Sequence, residues 1–118
     1  MTEPPAHPLT IPVYQILLSL ADRDLHGYAI LRDIEDRTGG EVILAAGTLY
    51  AAIARLVRDG LVEELAGPAA DGDDARRRTY CITEQGRRAA AAAAERMRRF
   101  VRMAEEKRLL PATPRRRS

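Results

Sequence analysis

Apolar residues recur at helical spacing in three stretches of the first sixty residues. The first stretch follows Thr10, whose hydroxyl suits a helix N-cap, and contains Pro12, which the first turn of a helix tolerates. The second ends at the glycine pair 39–40, because glycine readily adopts the left-handed conformation that ends a helix. The third occupies residues 47–59 and stops before Gly60. The predicted inward-facing residues are Val13, Ile16, Leu17, Leu20 and Ala21 in the first helix, Ile30, Leu31 and Ile34 in the second, and Leu49, Ile53, Leu56 and Val57 in the third.

Three short amphipathic helices joined by tight turns predict a helix-turn-helix arrangement, in which the third helix packs across the second. Polar residues on both sides of Leu25 and His26 indicate a short break between the first helix and the second. The second helix should turn a charged face to solvent. The residues predicted on that face are Arg32, Asp33, Asp36 and Arg37.

Two short segments with strand character follow the third helix, at residues 61–65 and 79–82. The residues between them contain Gly67, Pro68 and Gly72, so the pair reads as a hairpin with a long tip. Thr83 is a suitable N-cap for an alanine-rich helix that should run to Leu110 and end before Pro111.

The chain is therefore predicted to be mainly α with a small β-hairpin, a winged helix-turn-helix followed by a long C-terminal helix. We expect a flexible proline-containing arm at residues 1–9 and a DNA-binding domain at residues 10–83. The C-terminal helix at residues 84–110 should mediate dimerisation, and residues 111–118 should form a basic tail.

The dimerisation prediction rests on the spacing of apolar residues in the C-terminal helix. They alternate at three and four residues, as along a coiled-coil seam, which favours a partner helix from a second copy of the chain. Met97 and Phe100 have an alternative interpretation, in which they line a pocket for a small-molecule effector. The predicted seam residues are Ala90, Ala93, Met97, Phe100 and Ala104.

The net charge of +2 is divided unevenly along the chain. Residues 1–75 carry 5 basic and 13 acidic side chains, whereas residues 76–118 carry 14 basic and 4 acidic ones, giving −8 and +10. Such an asymmetry indicates a polyanionic partner for part of the surface, although a solvated helix face is the alternative.

The sequence offers no constellation for catalysis, cofactor binding or a metal site, so we expect none of the three. His7 and His26 are isolated, Cys81 has no second cysteine, and no glycine-rich phosphate loop is present. Cys81 is expected to be a small strand residue rather than a redox sensor. Without a membrane-spanning run or a signal peptide, the chain is expected to be cytoplasmic.

The third helix carries the strongest functional indication. Small residues on its exposed side would let DNA approach closely, while hydroxyl and guanidinium groups reach phosphates or base edges. Three consecutive arginines on the return strand of the hairpin suit a wing beside DNA, although Asp71, Asp73 and Asp74 could neutralise them when DNA is absent. The predicted DNA-binding residues are Thr48, Tyr50, Ala51, Arg55, Arg58, Arg76, Arg77 and Arg78.

Several short motifs occur in a fixed order over nearly the whole chain. They are His26-Gly27-Tyr28, Gly47-Thr48-Leu49-Tyr50, Arg55-Leu56, Gly60-Leu61-Val62 and Arg78-Thr79-Tyr80, followed by Ile82-Thr83 and Gly86. Taken together they resemble the PadR family of bacterial transcriptional regulators, in its short branch with a single C-terminal helix.

The resemblance implies a winged helix-turn-helix that dimerises through its C-terminal helix and binds an operator as a repressor. It places Thr48 and Tyr50 at the DNA backbone, Arg55 in the recognition helix and residues 76–78 in the wing. It also gives Tyr28 and Tyr80 mostly structural roles, in keeping with their burial-prone spacing.

The chain departs from the family pattern in two places. Ala45 and Ala46 stand where the family usually has a serine and often a proline, which removes an N-cap oxygen worth about 1 kcal/mol. Drug-binding members of the short branch stack ligands on a tryptophan of the C-terminal helix, and this chain has no tryptophan.

Two further functional classes stay open at this point. A winged helix that has lost DNA binding could dock another protein through its C-terminal helix, which Ala45, Ala46 and the acidic hairpin tip favour. A ligand-gated sensor would bind DNA and also hold an effector between the C-terminal helices and the body.

Overall fold

The computed structural model describes residues 9–65 and 78–112. The predicted N-terminal arm up to residue 8, the hairpin tip with Arg76 and Arg77, and most of the basic tail lie outside the described residues. The elements in chain order are α1 (Ile11–Ser19), β1 (Leu25–His26), α2 (Gly27–Arg37), α3 (Ala46–Arg58), β2 (Val62–Leu65), β3 (Thr79–Ile82) and α4 (Glu84–Glu106).

Side-chain caps and glycines set the limits of the helices largely as the sequence predicts. The Thr10 hydroxyl accepts a hydrogen bond from the Val13 amide at 3.3 Å, and the Thr83 hydroxyl accepts one from the Gly86 amide at 3.0 Å. Gly60, which follows α3, has φ of 81° in the left-handed region. The helix limits are thus explained by local chemistry.

The three helices of the body enclose a single apolar core, onto which the start of α4 and the sheet pack. The predicted inward stripes are confirmed for most positions, and Ala52 is an additional buried residue of α3. The buried apolar residues are Ile16, Leu17, Leu20, Ile30, Ile34, Leu49, Ala52, Ile53, Leu56, Leu61, Val62, Tyr80 and Ala89.

A third strand joins the predicted hairpin. Leu25 and His26, predicted to form a break, pair antiparallel with Tyr80 and Thr79 of β3, giving the strand order β1-β3-β2. Two residues are too short to show an alternating pattern, and the partner strand lies more than fifty residues further along the chain. The strand therefore follows from tertiary pairing.

The C-terminal helix ends four residues before the predicted Leu110. Arg108 adopts a left-handed conformation with φ of 63°, its amide donates to the Glu105 carbonyl, and the Leu109 amide donates to the Ala104 carbonyl at 2.8 Å. This pair of bonds is a Schellman closure, with arginine at the position where glycine is commonest. α4 is therefore about 35 Å long at 1.5 Å per residue.

Two charged residues predicted on the solvent face of α2, Asp33 and Arg37, instead join α2 to α1. Asp33 accepts hydrogen bonds of 2.7 Å from Ser19 and from Arg37, and Arg37 also donates to the Gln15 side chain. Burial alone would raise the pKa of the Asp33 carboxyl, but these hydrogen bonds and the nearby positive charges hold it below its usual value. The buried Ser19 hydroxyl is satisfied by the same network.

Candidate nucleic-acid interface

The face of α3 that points away from the core carries small and cationic side chains. Leu49, Ile53 and Leu56 are buried on the opposite face, so the helix is anchored along its whole length. The predicted interface residues Thr48, Ala51, Arg55 and Arg58 are all exposed, together with Ala46, Gly47 and Ala54. The described residues thus leave one side of α3 uncovered, the side that could enter a DNA groove.

The N-terminus of α3 lacks a side-chain cap, as the sequence predicts. Ala45 occupies the N-cap position, and only its backbone carbonyl takes part, accepting from the Leu49 amide at 2.9 Å. No side-chain oxygen covers the first amides of the helix at this position. The N-cap side chain therefore does not satisfy the first amides of α3, which lie at the positive end of the helix dipole.

Tyr50 lies at the junction of α3 and α2. Its side chain packs against the core, and a Cβ atom at Gly27 would collide with the Tyr50 ring and lie 2.9 Å from its hydroxyl oxygen. Gly27 is buried at the first position of α2, so the glycine of the His26-Gly27-Tyr28 motif makes room for this ring. Tyr50 therefore positions the recognition helix against α2, whatever else its hydroxyl contacts.

The cations at the C-terminal end of α3 differ in their surroundings. Arg58 lies 3.9 Å from the carboxylate of Asp59, in a pair whose members are both well exposed. Arg55 forms no ion pair with another described residue. An exposed pair of this kind contributes little to stability, so both guanidinium groups are available to an incoming phosphate or base edge.

In the wing, the one described arginine of the triple cluster is already paired with an acidic residue. Arg78 Nε lies 3.6 Å from Glu64 Oε2 on the neighbouring strand, and Glu63 beside it is exposed. The sequence pointed to aspartates 71, 73 and 74 as the neutralising groups, and these lie outside the described residues. Within the described part of the wing, Glu64 takes that role.

The motif residues His26 and Tyr28 occupy positions that the sequence did not reveal. His26 Nδ1 lies 3.1 Å from the Thr79 hydroxyl, which ties the start of α2 to β3. The expectation that Tyr28 is buried is wrong, because its side chain is 51% exposed. Its hydroxyl accepts a hydrogen bond from Arg32 at 3.3 Å, and the Arg32 guanidinium lies 5.8 Å from the ring centroid.

Tyr28 and Arg32 therefore form an exposed aromatic–cation pair on α2. Sequence reasoning assigned Arg32 only to a solvent face and missed the pair. The signal that could have found it is the spacing of four residues between an aromatic ring and an arginine, which places both on one helix face.

The predicted dimerisation seam of α4 is packed against the core at its start and more exposed in its second half. Ala90 packs against the core of its own chain, whereas Phe100 is 49% exposed and has the Arg96 guanidinium 5.0 Å from its ring centroid. Val101 and Met103 are also exposed apolar residues in this half of the helix. The C-terminal half of α4 thus carries apolar surface that the rest of the described chain leaves uncovered.

Cys81 sits in β3 with its sulfur 3.9 Å from a Glu63 carboxylate oxygen. Burial, followed by the negative charges of Asp24 and Glu63, raises the pKa of the thiol. A raised pKa disfavours the reactive thiolate, which agrees with the prediction of a small strand residue.

Across the described ranges, no group of histidine, cysteine, aspartate or glutamate side chains is placed to hold a metal ion. None of the helices in residues 9–65 and 78–112 is both long and apolar enough to cross a membrane.

Three helices, a β-hairpin wing and an exposed recognition helix define the class of winged helix-turn-helix proteins. The sequence pattern of the transcriptional regulator PadR-like family matches residues 16–92, more than half of the chain, and the chain belongs to that family. The family consists of transcriptional regulators rather than enzymes, and the fold of this chain supports a DNA-binding regulator.

Individual proteins also match the chain in sequence. The chain is 42% identical over 72 residues to an uncharacterized 37.1 kDa protein in transposon TN4556 of Streptomyces fradiae. The chain spans 19% and 64% of the lengths of the two curated relatives it matches.

Solved structures share the fold. A transcriptional regulator from Clostridium thermocellum is 26% identical with a TM-score of 0.68, and the match covers 80% of this chain and 87% of that one. A PadR family transcription regulator from Clostridium difficile is 24% identical with a TM-score of 0.64, over 86% of this chain and 100% of that one.

Proposed function

We propose that this chain acts as a homodimeric repressor that binds an inverted-repeat operator. The observation that supports this most directly is the open face of α3, where small side chains lead to Arg55 and Arg58. In helix-turn-helix proteins such a helix enters the major groove, and dimers read two half-sites about 34 Å or a multiple of it apart.

The proposed contacts divide into two kinds. Thr48 and Tyr50 contact the backbone with their hydroxyl groups, as do the wing arginines 76–78 with their guanidinium groups. Ala51 allows close approach of the groove, and Arg55 and Arg58 reach phosphates or base edges. The exposure of Thr48, Ala51, Arg55 and Arg58 supports these roles.

The second part of the proposal is dimerisation through α4, with the seam Ala90, Ala93, Met97, Phe100 and Ala104. The uncovered apolar surface around Phe100 supports it, because contiguous exposed apolar residues on a helix mark a contact surface. A small-molecule effector held near Met97 and Phe100 would relieve repression by favouring a dimer geometry that no longer fits the operator.

A protein-interaction module without DNA binding is the second candidate. Two observations favour it, the uncapped start of α3 at Ala45 and the neutralisation of Arg78 by Glu64. Both weaken attachment to phosphate, and neither removes the exposed guanidinium groups of α3.

The test is a titration of the purified chain with the DNA upstream of its own coding sequence, followed by fluorescence anisotropy at increasing salt. We expect affinity to fall steeply with salt, since each neutralised phosphate releases counterions. Arg55→Ala should weaken binding about 5- to 150-fold, the range for loss of an arginine contact to a base.

Arg88→Ala is the matched control, because Arg88 is an exposed arginine of α4 that pairs with Glu84. It should leave DNA affinity nearly unchanged. Absence of any DNA complex at low salt would support the protein-interaction module instead. An equal loss on all sequences for Arg55→Ala would make Arg55 a backbone anchor.

A further inference from the structure

Next to the start of α3, an apolar side chain projects from the body. Ile43, in the loop between α2 and α3, is 66% exposed, although the residues on either side of it, Val42 and Leu44, pack against the core. Exposure of a β-branched side chain between two inward-facing ones means that the backbone of the loop directs it outward.

Hydrogen bonds hold this part of the loop in place. The Thr38 hydroxyl donates to the Ile34 carbonyl at 2.8 Å and accepts from the Val42 amide at 3.0 Å. The Gly40 amide donates to the Glu35 carbonyl at 2.9 Å. The outward direction of Ile43 is therefore built into the loop rather than left to a flexible segment.

On the open face of α3, the first half of the helix offers small side chains and one hydroxyl group, that of Thr48, which the proposed function assigns to the DNA backbone. Gly47 and Ala51 are exposed there one turn apart, and nothing lies within 4 Å of the position that a Cβ atom would take at Gly47. The guanidinium groups that could read guanine begin only at Arg55, about 12 Å along the axis from Gly47 at 1.5 Å per residue.

The chemistry of the major groove narrows what such a surface can recognise. Of the four bases only thymine presents a methyl group there, and apolar side chains contact it favourably. The N-terminal residues of a recognition helix are the ones that contact base edges in helix-turn-helix complexes. With the Thr48 hydroxyl assigned to the backbone, the apolar side chains at this position match thymine better than the polar edges of guanine and cytosine.

We propose that the chain recognises its operator through thymine methyl groups, which pack against Ile43 and Ala51 in each half-site while Gly47 lets the groove approach closely. This inference rests on the proposed DNA-binding function and names the base that the binding face selects. The cations Arg55 and Arg58 then act further along the helix, at phosphates or at a second base.

The experiment begins with selection of bound duplexes from a random-sequence DNA library by the purified full chain. Thymine should be enriched at fixed positions of each half-site. Each enriched thymine is then replaced by deoxyuridine, which lacks only the 5-methyl group. Affinity should fall about fourfold for each methyl removed, the factor expected for burying one methylene-sized group, while replacement outside the enriched positions should have no effect.

Variants assign the contact to Ile43. At one enriched position of each half-site, replacing thymine by deoxyuridine should no longer change the affinity of the Ile43→Ala variant. The matched control is Ile11→Ala, the same change at a residue of α1 that is 52% exposed, and it should keep the fourfold preference for thymine.

Two results would overturn the inference while leaving DNA binding intact: equal affinity of the unaltered chain for thymine and deoxyuridine duplexes, or full discrimination by Ile43→Ala. Failure to enrich any duplex would contradict the proposed function itself, and the inference with it.

Discussion

Two glycines in the first turns of helices have opposite surroundings. Gly86, in α4, is buried, and a Cβ atom there would collide with the Leu61 carbonyl oxygen and lie 2.9 Å from Ile82 Cγ1. Gly47, in α3, has nothing within 4 Å of the same position. Packing of α4 against the turn after α3 therefore requires glycine at position 86, whereas no packing contact requires glycine at position 47.

We therefore expect Gly86→Ala to destabilise the fold by about 1–3 kcal/mol or more, as overpacking does. Gly47→Ala should instead stabilise it by about 0.5–1 kcal/mol, because alanine loses less backbone entropy in a helix than glycine does. Urea denaturation followed by circular dichroism measures both changes. Equal effects of the two substitutions would contradict the packing argument.

Single residues were predicted well wherever local chemistry decides their role. The missing N-cap oxygen at Ala45 and the caps at Thr10 and Thr83 follow from residue type and position alone. Tyr28 was wrongly expected to be buried, because its exposure depends on how α2 crosses α3 and not on its neighbours in the chain.

At the scale of elements, the wing brings together charges that are distant in sequence. Glu64 and Arg78 approach to 3.6 Å because β2 and β3 pair with Leu65 opposite Thr79. The carboxylate competes with DNA phosphate for the guanidinium group, and it also repels phosphate. The pair therefore weakens the proposed wing contact when it is formed.

Glu64→Gln should raise DNA affinity about 1.4- to fivefold at low salt, the factor that corresponds to an exposed ion pair of about 0.2–1 kcal/mol. The gain should shrink as salt screens the charges. Glu95→Gln is the control, since Glu95 pairs with Arg98 on α4 at a similar distance of 3.5 Å and changes the net charge equally. A gain of the same size from both variants would assign the effect to overall charge and not to the wing.

Most boundaries of the helices and strands follow from nearby residues, whereas β1 depends on residues distant in sequence. The starts of all the helices and the two hairpin strands lie close to their predicted positions. β1 was missed because it exists only through pairing with β3. The end of α4 was placed too late, because proline marks where a helix must stop and not where a backbone closure at Arg108 stops it sooner.

At the scale of the whole molecule, α4 keeps part of its apolar surface exposed in a single chain. Its N-terminal part packs on α1 and the core, whereas Phe100, Val101 and Met103 remain exposed beyond the body. A second copy would cover these residues in the proposed dimer, and the two-fold axis would set the distance between the recognition helices.

Phe100→Glu should shift the apparent mass from twice 13.1 kDa to that of one chain, with dimer affinity lowered about 100-fold because a charged carboxylate would replace the aromatic ring in an apolar seam. Ala91→Glu adds the same charge about two and a half turns earlier, on the opposite face of the helix, and it should leave the dimer intact. Sedimentation equilibrium measures both. A single-chain mass for the unaltered protein would contradict dimerisation through α4.

The sequence by itself determined the helices, the hairpin and the family, because periodicity, caps and a set of short motifs are local properties of the chain. Tertiary structure decided which side chains meet: Tyr50 against Gly27, Asp33 and Arg37 with Ser19, and Glu64 with Arg78. It also decided that Ile43 points outward beside the recognition helix. These contacts join residues that are far apart along the chain, and only the packing of one element on another fixes their distance.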